Sequence, residues 1–155
     1  MDSIIALFEN FDLTAFVPEL DTLLGKLELV TRIAVMIGPL ILLGLGLWYF
    51  LSPPKEANHH AGFRTLWGMG SVEAWQFTQR IAGIAFSVLG FVLTVVMALI
   101  CNGYRGMEML DMLWSAVVCV LWEIGLVLVA TIAIHILVLV RYDWKGDRRP
   151  PREKQ

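Results

Sequence analysis

Three stretches of this chain, Ile33–Leu51, Ile81–Cys101 and Leu113–Val140, are predominantly apolar, and the first two carry no charge at all. Hydrocarbon roughly 30 Å thick takes about 20 helical residues to cross and supplies no water to satisfy an open backbone. Runs of that length therefore predict membrane-crossing helices. A chain of 155 residues that is 57% hydrophobic and 17% charged is also too apolar to hide that surface in one small soluble core. The expected fold is an all-α integral membrane protein with three transmembrane helices plus an N-terminal amphipathic interfacial helix, with the lipid bilayer as its principal partner.

The organisation expected is an amphipathic region over 1–31, a three-span membrane domain over 32–141 and a basic cytoplasmic tail over 142–155. The ends differ in charge. Residues 1–31 hold Asp2, Glu9, Asp12, Glu19, Asp21 and Glu28 against Lys26, whereas the tail from Arg141 holds six basic residues against three acids. Lys55, Arg64 and Arg80 in the first loop and the basic tail outweigh Lys26, Arg32 and Arg105 on the other side. The positive-inside bias then places the N-terminus and the 102–112 loop outside, and the 52–80 loop and C-terminus in the cytoplasm. Met1–Phe11 lacks a basic n-region and is interrupted by Glu9 and Asn10, so no cleavable signal is expected there.

Ahead of the first span, Leu20, Leu23, Leu24, Leu27 and Val30 fall on one helical stripe, with Glu19, Asp21, Lys26 and Glu28 elsewhere. That pattern suits a helix on the outer leaflet or a docking surface for a partner. Pro39 beside Gly38, with Gly44 and Gly46 after it, predicts a kink or a close helix approach. Gly83, Ser87 and Gly90 form a small-residue stripe in span two, a path for another backbone. The third run, at 28 residues, would extend roughly 42 Å. Counting back from Arg141 puts Glu123 at the outer interface, where it is expected to cap or to pair, for instance with Arg105, or to touch a partner. His135 falls in the inner leaflet as an interhelical hydrogen-bonder.

Several chemistries are not expected. Cys101 and Cys119 form neither a disulfide framework nor a metal-spaced set, and adjacent His59 and His60 point apart without a nearby ligand partner. No nucleophile triad, phosphate-cradling glycine loop or catalytic acid pair occurs, so neither an enzyme nor a cofactor is expected. Arg148, Arg149 and Arg152 are too few and too interrupted for nucleic acid, and suit anionic lipid.

The least generic part of the chain is the loop and helix entry over 58–79, containing Asn58-His59-His60-Ala61-Gly62-Phe63-Arg64-Thr65, then Ser71, Trp75 and Gln79. Its composition reads as an ordered structure. Gly62 suits a tight turn, Asn58 and Thr65 suit local backbone bonding, and Ser71 suits the cap of span two with Glu73 in its first turn. Trp67 and Trp75 would anchor in the headgroups. Arg64 can hold lipid phosphate, clamp Glu73 or span carbonyls, or grip a distinct ligand.

An Asn, a Gly-aromatic-Arg-Thr core, then Ser and Trp leading into a helix resembles the signature of the SdpI family of bacterial membrane proteins, named for an immunity protein against a secreted killing factor. The resemblance implies a multi-pass protein of the bacterial cytoplasmic membrane that protects by binding a membrane-active toxin. It marks Asn58, Gly62, Phe63, Arg64, Thr65, Ser71, Trp75 and Gln79 as candidate ligand or partner contacts, and the intramembrane carboxylate Glu123 joins them on physical grounds. Two other readings stay open: an accessory subunit of a larger membrane complex, and a small transporter or lipid-handling protein using Arg64 and Glu123. Three helices make a thin bundle, so a homo-oligomer or a hetero-complex is expected.

Overall fold

Each apolar run becomes part of a helix longer than itself, because in a chain segment without water every backbone N–H must find its partner within the helix. Helix α1 spans Leu13–Leu51, α2 spans Val72–Asn102 and α3 spans Met109–Arg141. The computed structural model describes residues 13–55, 57 and 61–149. Three helical segments, Thr22–Leu51, Val72–Asn102 and Met109–Arg141, are long and apolar enough to cross a membrane. Only 17% to 28% of each apolar window is buried within the chain, so most of that surface must face lipid or a partner. The protein is thus an all-helical bundle of three membrane-crossing helices.

The N-terminal stretch is not separated from the first span. Helix α1 runs for 39 residues, about 58 Å, and continues unbroken from Leu20 to Leu51. Pro39 lies fully buried within it, and its missing N–H leaves the Val35 carbonyl without its usual donor. Residues 1–12, and with them the apolar segment Ile4–Phe11, lie outside the described residues, as does the tail beyond Arg149.

Helices α1 and α2 form the principal interface. Thr31, Val35, Pro39, Leu42 and Gly46 make the buried stripe of α1. Opposite them lie Gly83, Phe86, Gly90, Leu93, Met97 and Cys101 of α2. A Cβ added at Gly83 would stand 2.7 Å from the Phe50 nitrogen, and one at Gly90 would stand 2.5 Å from that of Leu43. Both are shorter than any ordinary contact, so these glycines let the two backbones touch. Helix α3 leans on the pair through Met112, Cys119, Glu123, Ile134 and Val138. The C-terminus of α1, the N-terminus of α2 and the C-terminus of α3 meet at one end, called here the loop end, with the 52–71 loop and the start of the tail.

Candidate functional site

At the loop end, Gln79 stands two turns into α2, just before its uncharged run, and is fully buried. A buried primary amide needs both a donor and an acceptor, and the backbone of a single residue supplies them. The Phe63 N–H donates to Gln79 Oε1 at 2.8 Å, and Gln79 Nε2 donates to the Phe63 carbonyl at 2.7 Å. The side chain thus pairs with the loop as a neighbouring strand would. Trp75, one turn earlier and fully buried, donates from Nε1 to the Pro54 carbonyl at 2.8 Å and fixes the other arm of the loop.

Gly62 adopts φ +111, and a Cβ there would stand 2.7 Å from the Trp75 ring, so the turn admits glycine for two reasons at once. Thr65 Oγ1 accepts from the Gly68 N–H at 2.9 Å, closing the following turn. Ser71 caps α2 by accepting from the Ala74 N–H at 3.1 Å, as its position before Val72 predicts. Its hydroxyl also donates to the Gly146 carbonyl at 2.7 Å. That second bond ties the C-terminal segment to the loop: Gly146, at φ +83, lies against the backbone of Gly70 and Ser71.

The start of the tail is accordingly folded onto the bundle. Asp143 Oδ1 accepts from the N–H groups of Lys145 and Asp147 at 2.9 and 2.8 Å, and Arg149 Nε donates to the Tyr142 carbonyl at 3.1 Å. Glu73 pairs with Arg148 at 2.7 Å, not with Arg64. Phe63 sets its ring edge-on to Phe86 and to His135, each at 5.4 Å. His135 Nδ1 lies 2.9 Å from the Thr131 carbonyl, and since a carbonyl only accepts, Nδ1 carries the proton. The histidine therefore bonds within its own helix and meets the loop through its ring, in place of the expected interhelical hydrogen bond.

Six of the candidate residues, Gly62, Phe63, Thr65, Ser71, Trp75 and Gln79, are brought together here as a clamp that holds the loop to the bundle. One expectation changes. Trp75 is a buried strut and not a headgroup anchor, because its indole N–H is used to hold Pro54. Arg64, between two clamp residues, is exposed. Asn58, His59 and His60 lie outside the described residues.

Glu123 is elsewhere, about 18 Å along α3 from His135, and its side chain is turned into the bundle instead of capping or pairing at an interface. Its side chain is buried at 7% exposure between the helices, and Oε2 lies 2.8 Å from where a Gly38 Cβ would stand. Oε1 has no hydrogen-bond partner among the described residues. The carboxyl faces a cleft of about 300 Å³ whose other walls are apolar, including Pro39, Leu42, Leu93 and Val127. Leu93 lies about 18 Å from Ile81 along a 21-residue uncharged run, so this is hydrocarbon depth and not headgroup depth. No ion pair with Arg105 forms among the described residues. The count back from Arg141 placed Glu123 too near the interface and did not give its direction, which Met112, Ala116, Cys119, Glu123, Val127, Ala130, Ile134 and Val138 do set: they step by three and four residues along one face.

A three-helix membrane bundle with a basic, internally clamped loop between its first two spans is the class of protein defined by this geometry. A profile of the SdpI/YfhL protein family matches residues 55–142, more than half of the chain and the whole of the clamp. The chain belongs to the SdpI/YfhL family. No curated protein and no solved structure matches it significantly.

Proposed function

We propose that this protein protects the bacterial cytoplasmic membrane that carries it by binding a membrane-active peptide toxin, without catalysing a reaction. The N-terminal end of α1 and the 102–112 loop face outward in this reading, and the loop end faces the cytoplasm. Family membership supports the immunity role, and one observation carries the mechanism: Glu123 Oε1 is buried with no partner among the described residues, in an otherwise apolar cleft. An unmatched carboxyl at hydrocarbon depth is costly, and such groups mark functional sites by default. An inserted apolar toxin segment that offers one hydrogen-bond donor would fill the cleft and satisfy the oxygen. The clamp residues then serve the function indirectly, by fixing where α1, α2 and α3 meet.

The test is survival of sensitive cells challenged with the secreted killing factor that the family's namesake immunity protein counters. Expression of the wild-type chain is expected to raise survival at least tenfold. Glu123→Leu, expressed at the same level in the membrane, is expected to lose that gain. Unchanged killing with the wild type overturns the immunity reading, and full protection by Glu123→Leu overturns the cleft as the binding site.

A second reading, an accessory subunit of a membrane complex, draws on α1 before Thr31. Leu23, Leu29 and Val30 are 58%, 58% and 64% exposed on a helix that continues past the bundle's own buried stripe. Co-purification of a fixed partner in mild detergent, lost on truncating residues 1–27, would favour it; a monodisperse homo-oligomer would count against it.

A further inference from the structure

A chamber at the loop end is not part of the clamp or the Glu123 cleft. It measures about 740 Å³ and is walled by the end of α1, the first turns of α2 and the end of α3. Among the described residues, four cations line it, Lys55, Arg80, Arg141 and Arg148, against the single carboxylate of Glu73. That carboxylate is already engaged by Arg148 at 2.7 Å, and the Arg141 guanidinium is fixed over the Phe77 ring at 4.5 Å. The remaining pair, Lys55 and Arg80, is exposed, and neither forms an ion pair among the described residues. Gathering four like charges is unfavourable unless an anion offsets them.

The other walls say which anion. Tyr49, Phe50 and Ile81 belong to the lipid-facing ends of α1 and α2, where the uncharged runs begin, and Phe50 is 46% exposed. The chamber therefore joins a cationic mouth to an apolar floor at the depth of the aromatic belt, where phospholipid phosphates lie. Arg and Lys together suit a phosphodiester, the guanidinium through paired N–H groups and the ammonium as a point charge. Its size is also in the range of a specific small-molecule site and not of a single ion.

We infer that this chamber is a binding site for an anionic phospholipid headgroup, with the phosphodiester held by Lys55 and Arg80 and the first acyl methylenes on Phe50 and Ile81. Arg141 and Arg148 hold the walls by their contacts with Phe77 and Glu73, and set the positive field. A site of this kind makes the lipid a structural neighbour of the docked tail, since Arg148 and Tyr142 belong to both.

The test is lipid titration of the purified full chain in detergent, read by native mass spectrometry, with no toxin present. Phosphatidylglycerol is expected to bind about tenfold more tightly than phosphatidylcholine. The double variant Lys55→Gln/Arg80→Gln is expected to lose that preference and keep its helical circular dichroism, whereas Arg80→Lys keeps most of it. Arg105→Gln, at the opposite end, should change nothing. Equal binding of the two lipids, or an unchanged preference in the double variant, overturns the site. Competition by free glycerol phosphate at the concentration of the lipid would identify a soluble phosphate ligand, and displacement by polyglutamate would identify an acidic peptide; either overturns the lipid assignment.

Discussion

Gln79 shows how a single side chain can do the work of a strand. Its amide matches the N–H and the carbonyl of Phe63 in one planar contact, so a short loop stays attached to a helix without a sheet. Gln79→Leu removes both partners at once and leaves a partly buried N–H and carbonyl unmatched, at about 1–3 kcal/mol each. Thermal unfolding in detergent is expected to show a loss of about 2–4 kcal/mol, and a variant as stable as the wild type would mean that water reaches Phe63. Gly62→Ala meets both the positive φ and the Trp75 ring, and a loss of about 1–3 kcal/mol is expected from strain alone. The residue types were legible in the sequence: glycine for a turn, serine before a helix, glutamine and tryptophan at its start. Their partners were not, because Pro54 and Phe63 contribute only backbone atoms, and backbone atoms leave no mark in the residue pattern. Ser71 was read correctly because capping is local, while its bond to Gly146 spans 75 residues.

At the scale of helices, length was legible and direction less so. Hydrocarbon thickness fixes how many apolar residues a span needs, and α2 and α3 contain the expected runs. The amphipathic stretch before span one nevertheless continues into it, since no proline separates Leu20 from Arg32. Glycine in these helices carries two different meanings that only contacts distinguish. Gly83 and Gly90 touch the α1 backbone, whereas a methyl group added at Gly44 or Gly125 would have nothing within 4 Å. Gly90→Ala and Gly83→Ala are therefore expected to force α1 and α2 apart and to cost about 1–3 kcal/mol in unfolding. Gly44→Ala and Gly125→Ala should be neutral or stabilise by up to about 1 kcal/mol, because alanine restricts the unfolded chain. A uniform response across all four would mean that the α1–α2 contact is not the close backbone seam described.

The whole molecule has one basic end and one acidic end, and the fold sharpens that asymmetry beyond what sequence counting gives. Lys55, Arg64, Arg80, Arg141, Arg148 and Arg149 gather at the loop end, because the C-terminal ends of α1 and α3 and the N-terminal end of α2 meet there. Docking of the tail through Gly146 adds its arginines to the same surface instead of leaving them on a tether. The 103–108 turn at the far end carries Arg105 and Glu108, and lines a cleft with Glu28. Positive charge resists translocation, so the loop end should remain cytoplasmic. Cysteine labelling measures this directly. In a chain with Cys101→Ser and Cys119→Ser, Leu66→Cys and Met107→Cys each place one thiol on an exposed position, at 82% and 47% exposure, at opposite ends of the bundle. A membrane-impermeant maleimide added to intact spheroplasts should modify Met107→Cys, and Leu66→Cys should react only in inverted vesicles. Labelling of Leu66→Cys from outside would reverse the orientation, and would move the cationic chamber to a leaflet where the basic charge has no cytoplasmic bias to explain it.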